Sequence, residues 1–212
     1  MKQLPLEPRR GGGRFPDFDV MAHAGNWDAA TRAVVTDRLD APAEARFFTE
    51  TEMATATAMF DQLLYQRQEP RVPVAGRVDK RLADGQTDGW HYETMPIDAV
   101  TWRDSLAGLD SDAQDQCGTP FAACSWEDQA LILQAIQDLG AKPWHGFVAE
   151  HVWGLWTRYA CTAFYAHPAA WNEIGFDGPA YPRGYKNLGV DRLEGFEVRD
   201  ARPSDDPLAD GR

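Results

Sequence analysis

Residues 144–167 read WHGFVAEHVWGLWTRYACTAFYAH, a long and mostly apolar segment without proline. A stretch this long that is apolar nearly all round predicts a buried helix with other helices arranged about it. It is too often interrupted to span a bilayer. Glu150, His151 and Arg158 fall inside it, and a charge at mid-bilayer costs about 2.5–3.5 kcal/mol.

Working outward, Lys142–Pro143 breaks the chain before this segment. A helix is expected from Trp126 to Leu139, with Ser125 and Asp128 as its capped start and Ala130, Leu133 and Ile136 on one face. Upstream, Pro96 suits a first helical position, and Ala99, Trp102, Leu106 and Leu109 follow at helical spacing. The clearest start is TETE at 49–52. There Thr49 and Glu52 have capping-box spacing, and Met53, Ala56, Phe60 and Leu63 continue the face to about Gln66. Asn26 caps a first helix carrying Trp27, Ala30 and Val34. Between 69 and 91 the period is lost amid Pro70, Pro73, Gly76, Gly85 and Gly89. That region reads as a long connection with one helical turn around Val78 to Leu82, and connections of this length are usually functional or disordered. No run of alternating β-branched residues occurs. The fold class is therefore all-α: an irregular bundle of five or six helices around the 144–167 helix. A loose leader covers 1–24, one helical domain covers 25–198, and a disordered acidic tail covers 199–212.

Past the central helix, residues 167–189 read HPAAWNEIGFDGPAYPRGYKNLG. Gly175, Gly178, Pro179, Pro182, Gly184 and Gly189 forbid a continuous helix or central strand. Trp171, Phe176, Tyr181 and Tyr185 nevertheless bring ring area that must be covered. The expectation is an extended arm, 168–196, docked on this domain or on a partner. Arg183 lies between Pro182 and Gly184 and is flanked by Tyr181 and Tyr185. Such a guanidinium can stack on a ring and still pair with a carboxylate. It reads either as an interface anchor or as an internal clamp pinning the arm. The candidate partner-binding set is Trp171, Phe176, Tyr181, Pro182, Arg183, Gly184 and Tyr185.

A net charge of −12 argues against nucleic acid or an anionic membrane surface as partner. Cys117, Cys124 and Cys161 are too few for a disulfide scaffold, and no C-x-x-C-H attaches a haem. Arg9–Arg10 resembles an export signal, but GGGRFPDFD follows in place of an apolar segment. The expected location is the cytoplasm, with the thiols reduced. GGGRF at 11–15 is neither a dinucleotide nor a phosphate loop, so any FAD must sit in another polypeptide. His145 and His151 are six residues apart, not the four that clamp a metal on a helix face.

Four segments carry a resemblance to a known family: TETEMATATAMFDQLL at 49–64, the Trp102–Leu109 helix, TPFAACSWEDQALIL at 119–133 and GFDGPAYPRGYKNLG at 175–189. Over about 47–196 the chain resembles the gluconate 2-dehydrogenase subunit 3 family. The resemblance implies a small helical subunit that does no redox chemistry itself. It would bind and mature an FAD-bearing large subunit of the glucose–methanol–choline oxidoreductase type, acting on a sugar or polyol. Family members often supply the export signal for both subunits, and some work with a further cytochrome c subunit. No catalytic, cofactor or metal residue is expected in this chain. Two other readings compete: a free-standing helical chaperone, and a metal-binding helical enzyme using His145, His151 and Glu150.

Overall fold

The computed structural model describes residues 14–40, 44–69, 71–187, 189–190 and 192–201. Seven α-helices account for half of them: α1 Ala29–Asp37, α2 Glu50–Leu63, α3 Val74–Ala83, α4 Asp98–Cys117, α5 Trp126–Leu139, α6 Ala149–Tyr165 and α7 Pro168–Ile174. The two strands, β1 Pro143–Trp144 and β2 Phe147–Val148, form one short hairpin. The all-α expectation holds. These residues divide into two compact units, one of residues 41–164 and one built from both ends of the chain, up to Asp40 and from Tyr165 onward.

In the 41–164 unit, α2 meets α3, α4 and α5. Its capping box forms as the sequence requires. The Thr49 hydroxyl accepts the Glu52 N–H at 3.3 Å, and Glu52 Oε2 accepts the Thr49 N–H at 2.8 Å. Helix α4 follows the predicted stripe, with Trp102, Leu106 and Leu109 buried, and stops at Gly118, whose φ of 70° a glycine adopts without strain. Ser125 caps α5 by accepting the Asp128 N–H at 3.1 Å. Asp110 joins these pieces by accepting the Thr55 hydroxyl at 3.0 Å and the Phe121 N–H at 2.9 Å.

Two elements differ from the sequence reading. Helix α3 is ten residues long, not a single turn within an irregular connection. Val74, Ala75, Val78 and Leu82 are its buried face, and Pro73 sits at its start, where a missing N–H costs nothing. Buried Asp79 fixes it to the chain entering α2, accepting the N–H groups of Arg46, Phe47 and Phe48 at 2.7, 2.9 and 2.7 Å.

The second difference is at 144–148, expected to begin the central helix. These residues form the hairpin, turning through His145 at φ 43° and Gly146 at φ 84°. Positive φ at both central residues is what a two-residue hairpin turn demands, and it ends any helix there. Asp112 holds the turn on α4, accepting from Trp144 Nε1 at 2.7 Å and bonding His145 Nε2 at 2.7 Å. Helix α6 then buries one face, Val152, Leu155, Trp156, Tyr159 and Ala160, leaving the other partly solvated. The Trp156 indole donates to Ser105 Oγ at 3.1 Å, and the Tyr159 hydroxyl donates to Asp98 Oδ2 at 2.5 Å.

The chain-end unit has its own small core of Val20, Trp27, Val35 and Trp171. Asp28, not Asn26, caps α1, its Oδ1 accepting the Thr31 N–H at 2.7 Å. That two-residue shift turns Val35 inward and leaves Val34 exposed. The leader expected to be loose up to residue 24 contains a short 3-10 helix, Val20–Asn26, with Val20 fully buried. The Val20 N–H donates to Asn172 Oδ1 at 2.8 Å. Residues on either side of 25 thus share one core with residues past 165, whereas the sequence suggested a single domain over 25–198. The leader before residue 14 and the tail beyond 201 lie outside the described residues.

Candidate partner interface

The arm leaves α7 at Gly175 and is shaped by three local devices. Gly175 has φ 68°, and the Phe15 ring lies where a side chain would be. Gly178 has φ 76°, and an added Cβ would come within 2.5 Å of the Trp27 ring. Only glycine fits either place. Farther on, the Gly184 N–H donates to the Ala180 carbonyl at 2.7 Å, closing a tight turn over Tyr181–Arg183.

Asp177 is the hub of the arm. Its carboxylate is almost wholly buried, accepts from Arg183 Nη2 at 2.8 Å and pairs with His23 Nδ1. The Arg183 guanidinium also lies over the Phe196 ring at 3.7 Å, and the Tyr185 ring packs against the same ring with centroids 6.0 Å apart. Farther along, Glu194 collects the backbone N–H groups of Lys186 and Asn187. The arm therefore keeps a defined course by satisfying its backbone through carboxylates instead of a helical ladder.

The seven candidate residues separate on this geometry. Trp171 is buried in the unit's own core, its indole donating to the Tyr165 carbonyl at 2.7 Å, with Arg38 5.8 Å above its ring. Arg183 forms the internal clamp described above, and its Nε and Nη1 find no acceptor among the described residues. Pro182 and Gly184 shape the turn. Phe176, Tyr181 and Tyr185 present ring area to solvent, with Tyr181 65% and Tyr185 51% exposed. Sequence reasoning singled out Arg183 but passed over Asp177, although an acid six residues before a lone arginine is a legible partner. His23 and Phe196 carried no local signal, because their roles exist only once the two chain ends meet.

A second set of exposed rings sits in the 41–164 unit, in the connection that the sequence marked as functional. Trp90 is 50% exposed, and Tyr92 stacks on His151 with ring centroids 3.6 Å apart. Asp88 pairs with both Arg81 and Arg158, and Arg158 lies 4.6 Å from the Trp90 ring. His151 is thus a stacking base, and His145 serves the hairpin. Among the described residues no cluster of three or more His, Cys, Asp or Glu is placed to hold a metal, and no helix is long and apolar enough to cross a membrane. The Cys117 thiol is pushed up to about 11, first by its hydrogen bond to Cys124, and so stays protonated at neutral pH.

No curated protein and no solved structure shows a match to the chain. A family model described as gluconate 2-dehydrogenase subunit 3 matches residues 50–178, running from the first residue of α2 to the arm's Gly178. That span covers more than half of the 212 residues. The chain belongs to the gluconate 2-dehydrogenase subunit 3 family.

Proposed function

We propose that this chain is the non-catalytic small subunit of a heteromeric sugar or polyol dehydrogenase. In this reading it binds an FAD-bearing large subunit of the glucose–methanol–choline oxidoreductase type and supports that subunit's maturation. Membership of a family defined as a dehydrogenase's third subunit carries the proposal. The described strands are two residues long and form no dinucleotide-binding sheet, which supports a reading in which the partner holds the flavin. Phe176, Tyr181 and Tyr185 supply rigid aromatic anchors of the type that dominates interfaces.

Co-production with the flavoprotein of the same gene neighbourhood tests this. The expected outcome is a yellow complex that copurifies with the small subunit, while the isolated chain shows neither flavin absorbance nor dehydrogenase activity. A cytochrome c subunit, if it belongs to the assembly, would add its haem bands to the same preparation. Stoichiometric flavin in the isolated chain would overturn the reading. So would a flavoprotein that matures fully without this chain and does not bind it.

A further inference from the structure

A groove of 510 Å³ opens in the chain-end unit, walled by Pro16, Phe18 and Phe196 and carrying Asp17, Glu197 and the already paired His23. Asp17 is exposed and forms no ion pair among the described residues. Glu197 is likewise without a cation there, its Oε2 accepting only the Glu194 N–H at 2.6 Å. Two uncompensated carboxylates in a concave, partly apolar wall focus a negative potential on whatever enters. Phe196 already carries Arg183, but Phe18 adds a second ring to the wall, and such a ring attracts a cation, a guanidinium best of all. The volume suits one or two side chains, not a folded element. The groove is also continuous with the arm, because the Phe196 ring that walls it carries Arg183 on its face and Tyr185 beside it.

We propose that this groove receives an arginine- or lysine-bearing segment of the large subunit, next to the exposed arm tyrosines. The inference rests on the accessory-subunit reading and adds the chemistry of the partner's contact. The chain's net charge of −12 agrees with it, since an acidic subunit steers a basic docking face into register. Aromatic contacts on the arm then supply affinity that salt does not screen, while the groove contributes a salt-sensitive, position-fixing term.

The test uses the full chain and the purified flavoprotein subunit. The double variant Asp17→Asn/Glu197→Gln removes both charges with little structural cost. Asn tolerates the φ of 59° at residue 17, and Gln keeps an acceptor for the Glu194 N–H. Binding at low salt should weaken about tenfold, and the gap from wild type should close as salt rises. The companion variant Tyr181→Ala/Tyr185→Ala should weaken binding at every salt concentration. If the charge variant binds like wild type with the same salt dependence while the tyrosine variant fails, the groove inference is wrong and the arm interface stands. If neither variant changes binding, both are wrong. A second measurement needs no variant: N-acetylarginine amide should compete the wild-type complex apart more effectively than N-acetylglutamine amide. Equal competition by the two would overturn the cationic assignment.

Discussion

Buried or half-buried carboxylates do at the residue scale what regular secondary structure does elsewhere, and Glu52 shows the consequence for pH. Burial pushes its carboxyl up, but the Thr49 N–H, the Thr49 hydroxyl and the Arg103 guanidinium together outweigh that and hold it below its ordinary 4.5. Arg103 in turn donates to the Phe47 carbonyl at 2.7 Å, so the pair fixes the entry to α2. An acid whose folded pKa is depressed contributes stability above its unfolded value, and that stability is lost as pH falls through the folded value. The urea midpoint of the wild type should therefore drop on acidification below pH 4.5 more steeply than that of Glu52→Gln. Because the Arg103 side chain is 42% exposed and solvent screens the pair, the difference should be no more than about 1 kcal/mol. Parallel acid limbs for the two proteins would assign the capping stability to the backbone alone. Asp177 uses the same chemistry in the arm, and its pairing with Arg183 supplies the internal clamp that was one of the two roles open to that arginine in sequence. The guanidinium clamps its own arm and leaves two of its nitrogens without an acceptor among the described residues.

Elements were legible in proportion to how local their signals are. Helices α2, α4 and α5 announce themselves by a cap or a proline at one end and an apolar stripe between, all within one helix length. Helix α3 has an equally clear stripe at Val74, Val78 and Leu82, but prolines at 70 and 73 and Gly76 argue for a loop to any local reading. The hairpin at 143–148 is hidden for the opposite reason. Its Trp144, Phe147 and Val148 continue the apolar run of α6, and only the His145–Gly146 turn, secured by Asp112 from α4, separates the two. Gly108 on α4 is part of that arrangement, since a Cβ there would meet the His145 ring at 3.0 and 3.1 Å and the His145 Cβ at 3.2 Å. Two effects compete in Gly108→Ala. Helix propensity favours alanine by about 1 kcal/mol, and overpacking against a hydrogen-bonded ring costs about 1–3 kcal/mol. The clash should win in the wild-type background. In a His145→Ala background the ring is gone and only the Cβ contact at 3.2 Å remains, so the same substitution should cost less than in the wild type. Urea melts of the four proteins give the coupling directly, and additive effects would show that the hairpin does not lie on Gly108 in solution.

For the whole molecule, the consequence least visible in the sequence is that one compact unit is built from residues more than a hundred positions apart. Trp171 was legible as a ring needing cover, but not its cover, because Val20, Trp27 and Val35 lie in a stretch whose composition reads as a loose leader and a lone helix. The exposed tyrosines of the arm were legible for the same reason that their supports were not: exposure and aromaticity are local, whereas Asp177–His23 and Arg183–Phe196 are products of the fold. The family match begins at residue 50, so the N-terminal half of this unit lies outside it. If the unit is held by its own core, Trp171→Ala should remove about 3–5 kcal/mol from it, a large loss for a core of four main side chains. Amide exchange should then rise together in two places, the Val20–Asp37 region and the arm from Trp171 to Asn187, although no covalent neighbour links them. Protection in α2, α4 and α5 should persist, because their core of Trp102, Phe60, Leu106 and Ile132 belongs to the other compact unit. Faster exchange confined to the arm would mean that the N-terminal segment folds without it, and the presentation of Tyr181 and Tyr185 would then have to be explained by the arm alone.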